Sequence, residues 1–179
     1  NCDNKFSVLL RPKSNEMISQ EITSLTGISN KMLAKEGLKW QIAYTQFNDW
    51  ILNIMKDSDS KQIAIVSHNG ESFDFIFLRR IFSELNVLGI KTPNMKNVIL
   101  IDTLLISKRL LPKRVSYRQG SLCQTYNIIA KGSHRAFNDV LALEQLYLVL
   151  SDKLNKNLNN RRNVLHYPQM THDYIHFKK

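Results

Sequence analysis

A histidine stands five residues before an aspartate in the stretch Gly132-Ser133-His134-Arg135-Ala136-Phe137-Asn138-Asp139-Val140-Leu141-Ala142-Leu143. Five residues of α-helix turn through about 500°, so two helical side chains at that spacing point apart. If both serve one site, His134 belongs to the lead-in loop and Asp139 to the first turns of the helix that follows. A base on a loop above a helix-borne carboxylate suits removal of a proton from a water held by a metal ion. The spacing alone is weak: five histidines and nine aspartates in 179 residues give about 0.25 chance occurrences per chain. A second segment adds weight.

That segment is Ile65-Val66-Ser67-His68-Asn69-Gly70-Glu71-Ser72-Phe73-Asp74-Phe75. A strand ends, Asn69-Gly70 turns the chain, and Asp74 opens a helix. In α/β sheets ligands collect at the carboxyl ends of strands, which is where this turn places Asp74. By itself such an aspartate is explained by the helix dipole. Asp102, after a second strand, is expected to cap a helix rather than to enter the site, and His68 to order the turn.

The elements that must position these groups follow from hydrophobic periodicity. Phe6 to Leu10 is strand-like and ends at Arg11-Pro12. Thr23 to Met32 is loop-rich, with Gly27 as a breaker and Ser29-Asn30 as caps of a short helix. Ile42, Tyr44, Phe47, Ile51, Ile54 and Met55 follow helical spacing. Ile63 to Val66 and Val98 to Ile101 lack alternation, as strands buried on both faces do. Between them Phe75, Leu78, Ile81, Phe82 and Leu85 mark a helix with one buried face. A helix follows Asp102-Thr103, then a basic loop from Pro112 to Gly120, a short helix over 121–129, and a long one from Ala136 to Leu154. Its inner face is expected to hold Val140, Leu143, Leu146, Tyr147 and Leu150. Alternating strands and helices define an α/β layer structure. The expected domain covers 1–152, and the Asn-, Lys- and Arg-rich residues 153–179 form a basic tail.

Twenty-five Lys and Arg against fifteen Asp and Glu give a net charge of +10. An excess of that size points to a polyanionic partner, nucleic acid before membrane, since no basic amphipathic anchor is evident. Arg79-Arg80, Lys108-Arg109 and Lys113-Arg114 are the pairs placed to follow phosphates, with solvated surface as the plainer reading of each. No apolar run is long enough to span a bilayer. Two cysteines, Cys2 and Cys123, make neither a disulfide framework nor a zinc motif, so a reduced, intracellular setting is expected, cytoplasm or nucleus. Asn1 is not Met and runs almost at once into a strand-like segment, which suggests a piece of a longer protein.

Ser67-His68-Asn69-Gly70-x-x-Phe73-Asp74-Phe75 followed by His134-x4-Asp139 resembles the DEDDh, or DnaQ-like, family of 3′-to-5′ exonucleases. Leu25 to Leu33, Ile101-Asp102-Thr103-Leu104 and Gly120-Ser121-Leu122 are similar to further segments of that family. The His68 and His134 segments look most like the three-prime repair exonucleases. The resemblance covers roughly Phe6 to Leu150 and implies a ribonuclease H-like fold, a central mixed sheet flanked by helices, here without its first strand or strands. It implies two divalent cations, Mg²⁺ with Mn²⁺ as a substitute, with Asp74 and Asp139 as ligands and His134 as the general base. Asn69 and Gly70 would pass close to a terminal nucleotide and Phe73 would stack on a base, whereas Phe75 is expected in the core. The implied substrate is a single-stranded or frayed 3′ end, DNA before RNA.

The family's first motif, Asp-x-Glu, supplies two more carboxylates on the opening strand, and this chain contains no Asp-x-Glu. Either those residues lie upstream, or the protein is an inactive pseudo-exonuclease that binds nucleic acid without cutting it. An unrelated α/β nucleotide-binding protein is disfavoured because no Gly-rich phosphate loop is present. Two carboxylates hold a pair of divalent ions poorly. The 179-residue chain alone is therefore expected to digest labelled single-stranded DNA with Mg²⁺ weakly or not at all. Full-rate digestion in that assay would overturn the expectation.

Overall fold

The computed structural model describes residues 5–14, 16–57, 62–129 and 136–165, with side chains as far as residue 158. The chain divides into two compact units, one built from residues 1–63, 77–98 and 132–137, the other from 64–76, 99–131 and 138–179.

The first unit begins with two short helices, α1 (Gln20–Thr26) and α2 (Asn30–Glu36). Ser19 and Ser29 accept the backbone N–H of Ile22 and Met32 through their hydroxyl oxygens, both at 3.2 Å. Side-chain acceptance at the N-cap satisfies donors that the first turn leaves open. Gly27 closes α1 in the left-handed conformation at φ 67°, which costs glycine no Cβ clash. The expected loop over Thr23 to Met32 thus shrinks to residues 27–29, because two serine caps and one glycine hold helix on both sides. The expected strand from Phe6 to Leu10 is also absent. Its pairing is confined to a single parallel bridge between Leu10 and Leu38, with Leu38 N–H donating to the Leu9 carbonyl at 2.8 Å and Arg11 N–H to that of Leu38 at 2.9 Å. One bridge does not extend into a ladder where α2 ends just before Leu38 and the next helix starts just after it.

That next helix, α3 (Trp40–Asp57), and the later α4 (Asp74–Val87) bury Ala43, Tyr44 and Leu85, with Leu38, Trp40, Ile81 and Ile90 packed around them. Ile42, which follows the helical spacing, is exposed, and Ala43 is buried beside Tyr44. Phe6 stacks on Trp50 with ring centroids 5.8 Å apart. Fully buried Asn48 donates Nδ2 to the Lys91 carbonyl at 3.1 Å.

The sheet of the described residues is a parallel pair, β1 (Ile63–Ser67) and β2 (Val98–Asp102), joined through α4. This βαβ unit gives the chain its α/β character. The strands are less covered than expected: Ala64 is exposed and Ile63, Ile65 and Val66 are half-buried, as suits a sheet only two strands wide among the described residues.

The second unit continues with α5 (Thr103–Leu110), α6 (Gln119–Thr125) and α7 (Ala136–Leu165). Leu122, Leu146 and Leu150 form its core, surrounded by Ile106, Leu110, Leu111, Tyr126 and Ile128. Val140, placed on the inner face by spacing, is 57% exposed, whereas Ala142 is buried. The buried stripe therefore runs Ala142, Leu146, Leu150, a four-residue step. Helix α7 also runs past its expected end at Leu154 to Leu165. Residues 153–165 contain neither glycine nor proline to stop it, and Lys156 pairs with Asp152 at 2.7 Å across one turn. No helix among the described residues is long and apolar enough to cross a membrane. We predict that Leu146→Ala lowers the unfolding free energy in urea by about 2–5 kcal/mol, while Val140→Ala changes it by less than about 0.5 kcal/mol.

Candidate active site

The turn after β1 is built against the end of β2. Asp102, buried at 8% exposure, accepts the backbone N–H of Leu104 and of Asn69 on Oδ1, each at 2.9 Å. Its Oδ2 accepts from Glu71 N–H at 3.3 Å. One carboxylate thus caps α5, as its position after a strand suggested, and also fixes the 69–71 turn. Asn69 adopts the left-handed conformation at φ 69°, which asparagine tolerates better than most residues. Gly70 is buried, and a Cβ there would lie 2.6 Å from the Phe75 ring and 2.8 Å from Ser67 Cβ. Its missing side chain is therefore filled by packing. Phe75 is fully buried, as expected.

Asp74 opens α4 and is exposed. The Ser67 hydroxyl donates to its Oδ2, so the last residue of β1 orients the first carboxylate of α4. Phe73 stands next to it at 60% exposure.

His68 ties the turn to two further segments. Its Nε2 lies 2.8 Å from the Tyr117 carbonyl and its Nδ1 2.9 Å from Thr103 Oγ1. A carbonyl only accepts, so Nε2 carries the proton and donates to Tyr117. The Thr103 hydroxyl donates its one proton to the Ser67 carbonyl at 3.0 Å. Burial holds the imidazole below its ordinary pKa, against opposing pulls from the Tyr117 carbonyl and the Asp102 charge. The turn-ordering role expected of His68 is what these bonds perform.

Asp139 lies in the first turn of α7, half-buried. Its backbone carbonyl accepts from Gln119 Nε2 at 2.7 Å. Cys123, one turn further along α6, is a free, buried cysteine. Burial pushes its thiol pKa up, and the Asp139 carboxylate adds to that shift. The structure thus gathers Asn69, Gly70, Phe73 and Asp74 in one turn and sets Asp139 against α6. His134 lies outside the described residues. Among the described residues no group of three or more His, Cys, Asp and Glu side chains is placed to hold a metal ion.

Ser67, Thr103, Tyr117 and Gln119 were not singled out as site residues by sequence. Tyr117 acts through its carbonyl, which carries no side-chain signal, and Gln119 through a contact 20 residues away. Of the basic pairs, Arg80 bonds Glu84 at 2.8 Å. Arg114 bonds Thr125 Oγ1 at 2.8 Å and the Ser116 carbonyl at 3.2 Å. Both guanidinium groups are thereby used in folding the chain.

Residues 1–147 match the Exonuclease (RNase T) family, and the chain belongs to that family. It is similar to the PolC-type DNA polymerase III of Ureaplasma parvum, with 28% identity over 141 residues, 78% of this chain and 9% of that protein. Three-prime repair exonuclease 1 of Bos taurus is 28% identical over 151 residues, covering 78% of this chain and 44% of its own length. Exonuclease DPD1, chloroplastic/mitochondrial, of Arabidopsis thaliana is 30% identical over 104 residues, 55% of this chain and 31% of its own. The chain spans less than half the length of each of these relatives.

The depressed pKa of His68 gives a pH dependence with a defined sign. Protonation favours the unfolded chain, so the stability that neutral His68 contributes is complete above its ordinary value of 6.5 and is lost as pH falls through the lower folded value. The thermal midpoint should drop below pH 6.5 more steeply in the wild type than in His68→Gln. Parallel pH profiles of the two proteins by circular dichroism would refute this.

Proposed function

We propose that this chain carries the site of a 3′-to-5′ exonuclease that hydrolyses phosphodiester bonds at nucleic-acid 3′ ends, DNA in preference to RNA. Membership of the exonuclease family supports the reaction class. The observation that carries the site assignment is the exposed Asp74 carboxylate, oriented by Ser67 on a turn that the buried Asp102 holds rigid. The net charge of +10 suits a polyanionic substrate.

The family is divalent-metal dependent. Asp74 and Asp139 offer hard carboxylate oxygens, the donor chemistry that fits Mg²⁺ or Mn²⁺. When bound, a pair of such cations supplies a more acidic water and stabilises charge on the attacked phosphate. In this reading Asp74 and Asp139 hold the cations and His134 takes the proton from the attacking water. Phe73, exposed beside Asp74, stacks on the terminal base, while Asn69 and Gly70 contribute the backbone of the turn beneath it.

The test uses the complete protein with labelled single-stranded DNA and RNA and Mg²⁺. Asp74→Asn, Asp139→Asn and His134→Ala should each slow digestion by at least about 100-fold. Variants that digest as fast as wild type would sink the assignment. Binding of DNA by the wild type without any cleavage would favour the pseudo-exonuclease.

A further inference from the structure

Asp139 sits in the first turn of α7, three residues from its start at Ala136. The first turn is where a helix leaves N–H groups without internal partners and where fraying begins. A carboxylate that must meet a cation needs its backbone placed to within about half an ångström. The structure holds this backbone from outside the helix. Gln119, the first residue of α6, donates Nε2 to the Asp139 carbonyl at 2.7 Å, and both residues are half-buried. This bond places the start of α6 against the first turn of α7.

The same short segment reaches the other carboxylate. Two residues before Gln119, the Tyr117 carbonyl accepts from His68 Nε2 at 2.8 Å. His68 belongs to the turn that ends in Asp74. Residues 117–119 are therefore bonded on one side to the Asp74 turn and on the other to the Asp139 helix. The segment is itself braced: the Tyr117 hydroxyl donates to the Leu111 carbonyl at 2.6 Å, and Arg114 Nη2 donates to Thr125 on α6 at 2.8 Å.

We propose that Gln119 is a positioning residue, which sets the placement of Asp139 relative to the Asp74 turn and so the affinity of the site for divalent cations. This rests on the reading of Asp74 and Asp139 as ligands. Gln119 touches neither cation nor substrate; it acts through the α7 backbone. Loss of its donor leaves the α6–α7 packing of Leu122, Leu146 and Leu150 in place but frees the first turn to shift.

The experiment measures Mn²⁺ binding to the full chain by electron paramagnetic resonance of free Mn²⁺, below the unfolding range and up to millimolar metal. Thermal midpoints are taken in parallel in EDTA. Gln119→Met keeps the length of the side chain without the donor, and Gln119→Leu is a second variant lacking it. Both should bind Mn²⁺ about fivefold more weakly, the size of one lost hydrogen bond, with Asp139→Asn weaker still. A merely structural Gln119 would lower the EDTA midpoint and leave Mn²⁺ affinity unchanged, and that outcome overturns the proposal. If Asp139→Asn binds Mn²⁺ like wild type, or wild type binds none, the ligand reading beneath it fails instead.

Discussion

A buried carboxylate that accepts three backbone N–H groups organises the second unit of this protein. Removing an ionised Asp102 from water is costly unless its oxygens are hydrogen-bonded. Here Asn69, Glu71 and Leu104 supply those bonds. The charge cannot be satisfied unless the turn after β1 and the start of α5 lie together at one place. That requirement fixes the left-handed Asn69, brings Gly70 under the Phe75 ring, and leaves Asp74 facing solvent at the head of α4. Thr103, the next residue, repeats the tie through its bond to the Ser67 carbonyl and its contact with His68.

A second tie is made by residues 117–119, which meet the His68 ring and the Asp139 carbonyl. The basic loop before them is held by its own side chains. Arg114 and the Tyr117 hydroxyl spend their donors on Thr125 and on the carbonyls of Ser116 and Leu111. Positive charge in this chain is thus partly structural.

Much of this architecture is legible in the residues. The helices α3, α4 and α5 and both strands lie where periodicity puts them, since each carries its own buried stripe or unbroken apolar run. Capping by Asp102 is legible too, because Asp-Thr after a strand is a local arrangement. The errors share a cause. Val140 and Ile42 fit a helical period but sit at the edge of the stripe, where the neighbouring element decides which side is covered. Phe6 to Leu10 has strand composition but pairs at one position, and pairing depends on another segment. Helix α1 was missed because its apolar residues Ile22 and Leu25 are exposed and mark no buried face; its caps alone define it.

For the site, residue types and local order settled which groups are available. Asp74 follows a strand and a turn that His68 orders, and Asp139 opens a helix. These are properties of short segments, fixed by backbone preference and by neighbours a few residues away. Only the tertiary structure decided what each group is bonded to: Asp74 to Ser67, His68 to Thr103 and Tyr117, the Asp139 backbone to Gln119. Three of those four partners are at least 20 residues distant, and two of the bonds end on backbone carbonyls. A carbonyl is present at every residue, so its use leaves no mark in the sequence until folding selects which one is within reach.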